Sequence, residues 1–439
     1  MKMTRMIKRE ALKDCNLFKD ILKVIKHFWP NFLSIIGQIT DPRHQSYIVY
    51  SQECLLMTRM FSFFCNHQSF NHMNESFNKD IVIENFKFLF DENITEIPHG
   101  DTINDYLSEI SIDELRKVLY AMLNRLIRSK VTDDSKINNK YHQIVIDGVN
   151  LFVVQNDQID GGIERKHRNG KTMYHIDMLV AYMTLGNIVI PVDIEPIENV
   201  GKTYDKQDCE INAAKRLLKR LKKNFKRLPI CISADALYLS EPMISLIEEN
   251  HWKYTITYKE NKPKELKEYY ETLQKANDTN VHLKGQEKYE YYNGIEYKNK
   301  KINIISYTKR NKEEEIVEKF SYVTNIEIKE TNYKDMVKIC RKRWMIENQG
   351  FNELKNHGYY LSHIYSYNEN AIKAHVIIML ISQMIMNFLR IYETKKGRYE
   401  TLRKMGEEIK EALRNKVLSA TDIDDITKSF YVGNYISYL

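Results

Sequence analysis

The sequence predicts an α/β protein, with helices packed on a mixed sheet between a mainly helical N-terminal region and a helical C-terminal one. Three observations carry this. Up to about residue 135, apolar residues recur at helical spacing. From about residue 141 the period shortens, and three β-branched runs precede the next helix. After that helix come strand, helix and strand, the order expected of a layered α/β sheet.

In the first region, "NLFKDILKVIKHFW" and "SQECLLMTRMFSFFCNHQSF" read as amphipathic helices. "IPHGDTINDYLSEISIDELRKVLYAMLNRLIRSK" reads as two more, the first capped by Asp101 and the second opened by the capping box of Ser111 and Glu114. Two short helices followed by Arg125, Arg128 and Lys130 suit a DNA-reading unit or a plain bundle with a polar outer face, and both readings stay open.

"YHQIVIDGVNLFVV" reads as a strand run ending at Asp147-Gly148, followed by strands at about 174–182 and 187–194. "KQDCEINAAKRLLKRLKKNFKRL" is the next helix, and "PICISADALYL" a buried strand ending at Asp235. "EPMISLIEEN" is a helix and "WKYTITYK" a strand. Between 261 and 332 the Tyr-rich runs around Asn293-Gly294 read as a β-rich insertion with a hairpin at that dipeptide. A helix over 333–356 returns the chain to the core. These shifts divide the chain into 1–135, 136–260, 261–332, 333–395 and 396–439.

Composition bounds the function. A hydrophobic content of 43% rules out wholesale disorder. The net charge of +7 is compatible with a polyanionic partner without requiring one. Six scattered cysteines form no C-x-x-C pair and read as the reduced thiols of a cytoplasmic protein. The N-terminus lacks the apolar run of a signal peptide. The most apolar window, 371–389, carries Lys373, His375, Gln383 and Asn387, so a buried helix is expected there and no membrane span.

Asp147 and Asp235 each follow a short apolar run, and ligands of open α/β sheets bind outside the carboxyl ends of strands. Two such carboxylates, joined by Glu347 from a crossing helix, are the hard oxygen ligands a Mg²⁺ pair needs. Residue type alone is weak support among 59 acidic residues, since an Asp after a strand also serves as a cap or turn former.

The stretch "RKRWMIENQGFNELKNHGYYLSHIYS" resembles the C-terminal catalytic segment of bacterial insertion-sequence transposases of the DDE type. The resemblance is to the branch with a β-rich insertion before the Glu, whose motif reads Tyr, two residues, Arg, three residues, Glu, six residues, Lys. Arg343 and Glu347 match it. "QIVIDG" and "CISADALYLS" resemble the strands of the first and second Asp, Asp147 and Asp235. The Tyr position holds Cys340 and the Lys position Leu354, with Lys355 one residue later.

The resemblance implies an RNase H-like core in which Asp147, Asp235 and Glu347 hold two Mg²⁺ ions, Mn²⁺ substituting. It implies an enzyme that cuts double-stranded DNA at terminal inverted repeats and joins the 3′ ends to target DNA, acting as a homodimer in the cytoplasm at the nucleoid. Arg343 and Lys355 would bind phosphates beside the cut. Arg341 is a further candidate, as are Lys219 and Lys223 in "KRLLKRLKKNFKR", where phosphate contact and a solvated face are both open readings. Tyr292, Tyr297, Lys298, Lys300 and Lys301 suit contact with distorted DNA or ordinary sheet packing. A nuclease of the same fold and a catalytically silent DNA-binding derivative are the rival functions.

Overall fold

The computed structural model describes residues 16–155, 159–168, 170–199, 206–259, 263–276, 278–398 and 401–427. The chain divides into two units: one of residues 1–131, 150–176 and 351–439, the other of 132–149 and 177–350.

The first unit is a helical bundle. Its N-terminal helices are α1 (Leu17–Phe28), α2 (Phe32–Gly37), α3 (Gln52–Phe64), α4 (Phe70–Phe77), α5 (Asp80–Phe90), α6 (Gly100–Glu109) and α7 (Ile112–Arg128). The caps differ from the sequence expectation. His99, not Asp101, is the N-cap of α6, and Asp101 sits in the first turn. Ser111 does cap α7 through Glu114 N–H at 3.3 Å. The Glu114 carboxylate, however, accepts from Thr40 N–H at 2.6 Å instead of closing the box. A tertiary partner outcompetes the local one.

After the short α12 (Asn352–Asn356) come α13 (Glu369–Lys395), α14 (Leu402–Asn415) and α15 (Ala420–Thr427). Helix α13 packs against α1, α3, α6 and α7. It is long and apolar enough to cross a membrane, yet 94% of its apolar window is buried in the protein, with His375, Gln383 and Asn387 inside. Arg59 on α3 is fully buried as well, its guanidinium over the rings of Phe63, Phe70 and Tyr365 and its Nε donating to His375.

The second unit is built on a sheet. Its strands are β1 (His142–Val154, entering the first unit at Asn150), β3 (Thr172–Leu185, leaving it at Ile176), β4 (Ile188–Ile197), β5 (Ile230–Ala234), β6 (Lys253–Thr257), β7 (Asn280–Lys284), β8 (Glu287–Tyr297), β9 (Lys300–Arg310) and β10 (Ile316–Thr324). They run β4-β3-β1-β5-β6-β10-β9-β8-β7, while β2 (Ile163–Lys166) pairs with the start of β3 in the first unit. Strands β5 and β6 are parallel to β1, and each follows a helix: α8 (Glu210–Asn224) and α9 (Glu241–Glu249). Strands β1, β3 and β4, then helix α8, strand β5, helix α9 and strand β6, form an RNase H-like core.

Three elements depart from the sequence reading. Strand β1 does not end at Asp147 but runs seven residues further, to Val154. The insertion opens with a helix, α10 (Lys264–Lys275), and continues the core sheet edge to edge, because β10 pairs antiparallel with β6. Asn293-Gly294 makes no hairpin. It forms a bulge inside β8, where the register shifts between Tyr292 and Ile295 and Gly294 takes φ +82°. The tight turn is Lys298-Asn299, with φ of 44° and 64°, as a two-residue hairpin of the right twist requires.

The tyrosines of the insertion are mostly core. Tyr289, Tyr291, Tyr307 and Tyr322 pack with Met336, Val337 and Cys340 of α11 (Tyr333–Arg341), and Tyr297 is buried. This also accounts for Cys340: its small apolar side chain lies wholly within that cluster.

Candidate active site

Strand register brings the first two candidates together. Residues His142–Val145 of β1 pair in parallel with Ile230–Ser233 of β5. Continuing that register by two residues sets Asp147 beside Asp235, on neighbouring strands about 4.8 Å apart. Asp235 immediately follows β5 and caps the short 3-10 turn Ala236–Tyr238, its Oδ1 accepting from Leu237 N–H at 2.7 Å.

A buried polar row fixes this part of the sheet. Thr184, Gln143, Ser233 and Thr255 hydrogen-bond in sequence across β3, β1, β5 and β6 at 3.2, 2.8 and 2.6 Å. Gln143 also donates to the carbonyl of Ile339 at 2.8 Å, tying the C-terminal half of α11 to the sheet. Arg343 and Glu347 follow directly from that anchored helix.

Glu347 does not lie on a regular α-helix, as the sequence suggested. Helix α11 ends at Arg341, and Ile346–Phe351 form a π-turn. Ile346 is fully buried, and a Cβ on Gly350 would come within 3.2 Å of the Tyr182 ring, so the turn is seated closely on β3. A π-turn takes up one residue more than an α-turn, and such turns concentrate at functional sites. The one-residue displacement of Lys355 from the motif thus falls in a segment that absorbs one residue.

Arg343 joins two of the carboxylates. Its Nη1 lies 3.2 Å from Asp147 Oδ2 and its Nη2 2.7 Å from Glu347 Oε1. Asp147 is largely buried, whereas half of the Glu347 side chain is exposed. Burial pushes the Asp147 carboxyl up to about 7; Arg343 opposes that shift, and the charges of Glu210, Asp235 and Glu347 add to it. Excess negative charge with one guanidinium inside it is the setting a cation would relieve.

As they stand, no three His, Cys, Asp or Glu side chains among the described residues are grouped to hold a metal ion. The donor chemistry nevertheless fits Mg²⁺, which takes hard carboxylate oxygens. The Arg343 guanidinium is the cation between Asp147 and Glu347.

The sequence matches the family described as transposase DDE domain over residues 138–385, more than half of its length. The chain belongs to the DDE transposase family. A cryo-EM structure of a piggyBac transposase synaptic complex with hairpin DNA is 13% identical, with a TM-score of 0.41, covering 97% of this chain and 86% of that one. No curated protein matches the chain.

The remaining basic candidates of this DDE transposase fall in different settings. Lys219 and Lys223 lie on the exposed face of α8. Their neighbours on that helix are engaged within the protein. Arg216 pairs with Glu195 and Asp208, Arg220 with Asp193 and Glu195, and Lys222 donates to the Asn250 carbonyl. Arg341 pairs with Glu318 at 3.3 Å and stacks over Phe320. Lys300 pairs with Glu248. Lys355 is half-buried on α12.

Sequence reasoning missed Glu210. At the first residue of α8 it looked like any acidic residue favoured by a helix N-terminus. Its carboxylate accepts from Tyr238 O–H at 2.5 Å and lies over Gly148.

Proposed function

We propose that this protein is the transposase of an insertion sequence, cutting DNA at the element's terminal inverted repeats and joining the freed 3′ ends to target DNA. The reading rests on one observation above all. In a DDE transposase domain, Asp147 and Asp235 come side by side in strand register, and Arg343 ties Glu347 to Asp147.

Asp147, Asp235 and Glu347 would hold the divalent ions. When bound, two Mg²⁺ or Mn²⁺ ions supply the Lewis acidity that activates the attacking hydroxyl and neutralises the leaving oxygen at phosphorus. The chain's own residues do the rest. Asp147 and Asp235, fixed by the polar row of the sheet, set the separation of the ligands. Arg343 gives up its carboxylates and turns its planar fork to the phosphate flanking the cut. Lys355 serves the neighbouring phosphate. The helical N-terminal region binds the element ends, a homodimer holds both ends together, and the protein works in the cytoplasm at the nucleoid.

The test uses DNA bearing the repeats that flank the reading frame, incubated with protein and Mg²⁺ or Mn²⁺. Cuts at the element boundary that leave 3′-hydroxyls, followed by joining to a second duplex, are expected. Hydrolysis without joining would make the protein a nuclease. Binding without any cutting would make it a silent derivative.

Lys219 and Lys223 are the exposed cations of α8 left for DNA. Replacing both by Gln should weaken binding of any duplex and reduce the slope of log affinity against log salt by about 2, each phosphate contact contributing roughly 0.9. An unchanged slope in a salt titration would return this face to solvent.

A further inference from the structure

We infer that Glu210 is a positioning residue, a latch whose two oxygens tie the strand bearing Asp147 to the turn bearing Asp235. The inference rests on the metal site proposed above.

The geometry is specific. Glu210 Oε1 accepts from the Tyr238 hydroxyl, three residues after Asp235, at 2.5 Å. The same carboxylate lies directly over Gly148, the residue after Asp147, whose N–H donates to Asp147 Oδ1 at 3.1 Å. One side chain from α8 therefore grips both segments that carry the paired aspartates. Gly148 is bare because Glu210 lies over it: a Cβ there would come 2.5 Å from Oε2. Tyr238 is fully buried, and burial with the neighbouring carboxylates raises its phenol, so the hydroxyl remains a donor.

An acid used only to favour the start of α8 would face that helix's own amides. Glu210 instead faces the Tyr238 hydroxyl and the Gly148 backbone, both from other elements. Only a carboxylate offers two acceptors and no donor; a Gln must set its NH₂ either on the Gly148 backbone or against the Tyr238 oxygen, reversing that bond.

The test compares Glu210→Gln, Tyr238→Phe and the double variant by calorimetric titration with Mn²⁺. Each single change is expected to weaken Mn²⁺ binding by about 10-fold or more, the usual cost of losing a residue that orients metal ligands. The double variant should bind no more weakly than the worse single one, because both break the same latch. Melting temperature and repeat-DNA binding in EDTA should match the wild type, and the Gly148 amide should exchange faster in Glu210→Gln.

Mn²⁺ affinity within twofold of wild type in both single variants would overturn the latch. So would abolished binding in Glu210→Gln with none lost in Tyr238→Phe, which would make Glu210 a ligand. A loss seen only alongside a lower melting temperature would reduce Glu210 to holding the fold, and also overturns it. Asp235→Asn separates the two readings. If it binds Mn²⁺ like the wild type, the metal site fails, while the latch is still decided by exchange at Gly148.

Discussion

Asp147→Asn is expected to lower metal-dependent cleavage of repeat-bearing DNA by on the order of 10³-fold while leaving DNA binding in EDTA intact. A ligand to a catalytic divalent ion contributes several kcal/mol to stabilising the transition state, and each 1.36 kcal/mol is a decade in rate. Asn keeps the size of the side chain and its acceptor toward Gly148 N–H, so the loss is one of charge. In the metal-free protein that charge is unfavourable: burial and three neighbouring carboxylates hold the Asp147 carboxyl up to about 7 against the single Arg343. The variant should thus melt no lower than the wild type in EDTA. Activity lost with stability kept is what a functional charge produces. Cleavage within tenfold of wild type would remove Asp147 from the chemistry.

The second large effect concerns stability alone. Arg220 donates from Nε to Asp193 at 2.7 Å, from Nη1 to Glu195 at 2.6 Å and from Nη2 to the Ile194 carbonyl at 2.7 Å. Asp193 is fully buried and Glu195 nearly so, both on β4. Arg220→Met leaves those carboxylates without their main counterion, and breaking one side of a buried pair costs about 3–5 kcal/mol. Urea unfolding followed by Trp252 fluorescence, with Trp29 and Trp344 replaced by Phe, reads this unit. Adding Asp193→Asn to Arg220→Met should recover part of the loss, since it removes the stranded charge. A loss below about 1 kcal/mol would mean that water or Arg216 compensates.

Much of this was legible in the sequence where local pattern and tertiary environment agree. The apolar runs that became β3, β4 and β5 are buried almost throughout, so their pattern marked them. Asp235 reads as a strand end followed by a turn, and it is one. Asp147-Gly148 reads the same way, yet β1 continues through it, because Gly148 answers to Glu210 overhead and not to a turn. At Asn293-Gly294 the local signal for a hairpin gave way to sheet register, and the dipeptide bulges. The basic helix α8 looked free because its counterions lie mostly on a strand earlier in the chain, with Asp208 just before the helix. Their alternation was visible: Asp193 and Glu195 stand two apart, hence on one face of an otherwise apolar strand. Glu210 gave no local signal, since its meaning lies in Gly148 and Tyr238.

The pairing of β10 with β6 makes the insertion impossible to excise cleanly. Cutting out residues 263–324 would strip β6 of one neighbour and leave Tyr254 and Ile256, fully buried in the intact protein, on a raw border of the sheet. Such a border invites pairing with another chain. A shortened enzyme would be expected to precipitate before it could reveal what the insertion does, so its role must be dissected by point changes within the intact polypeptide.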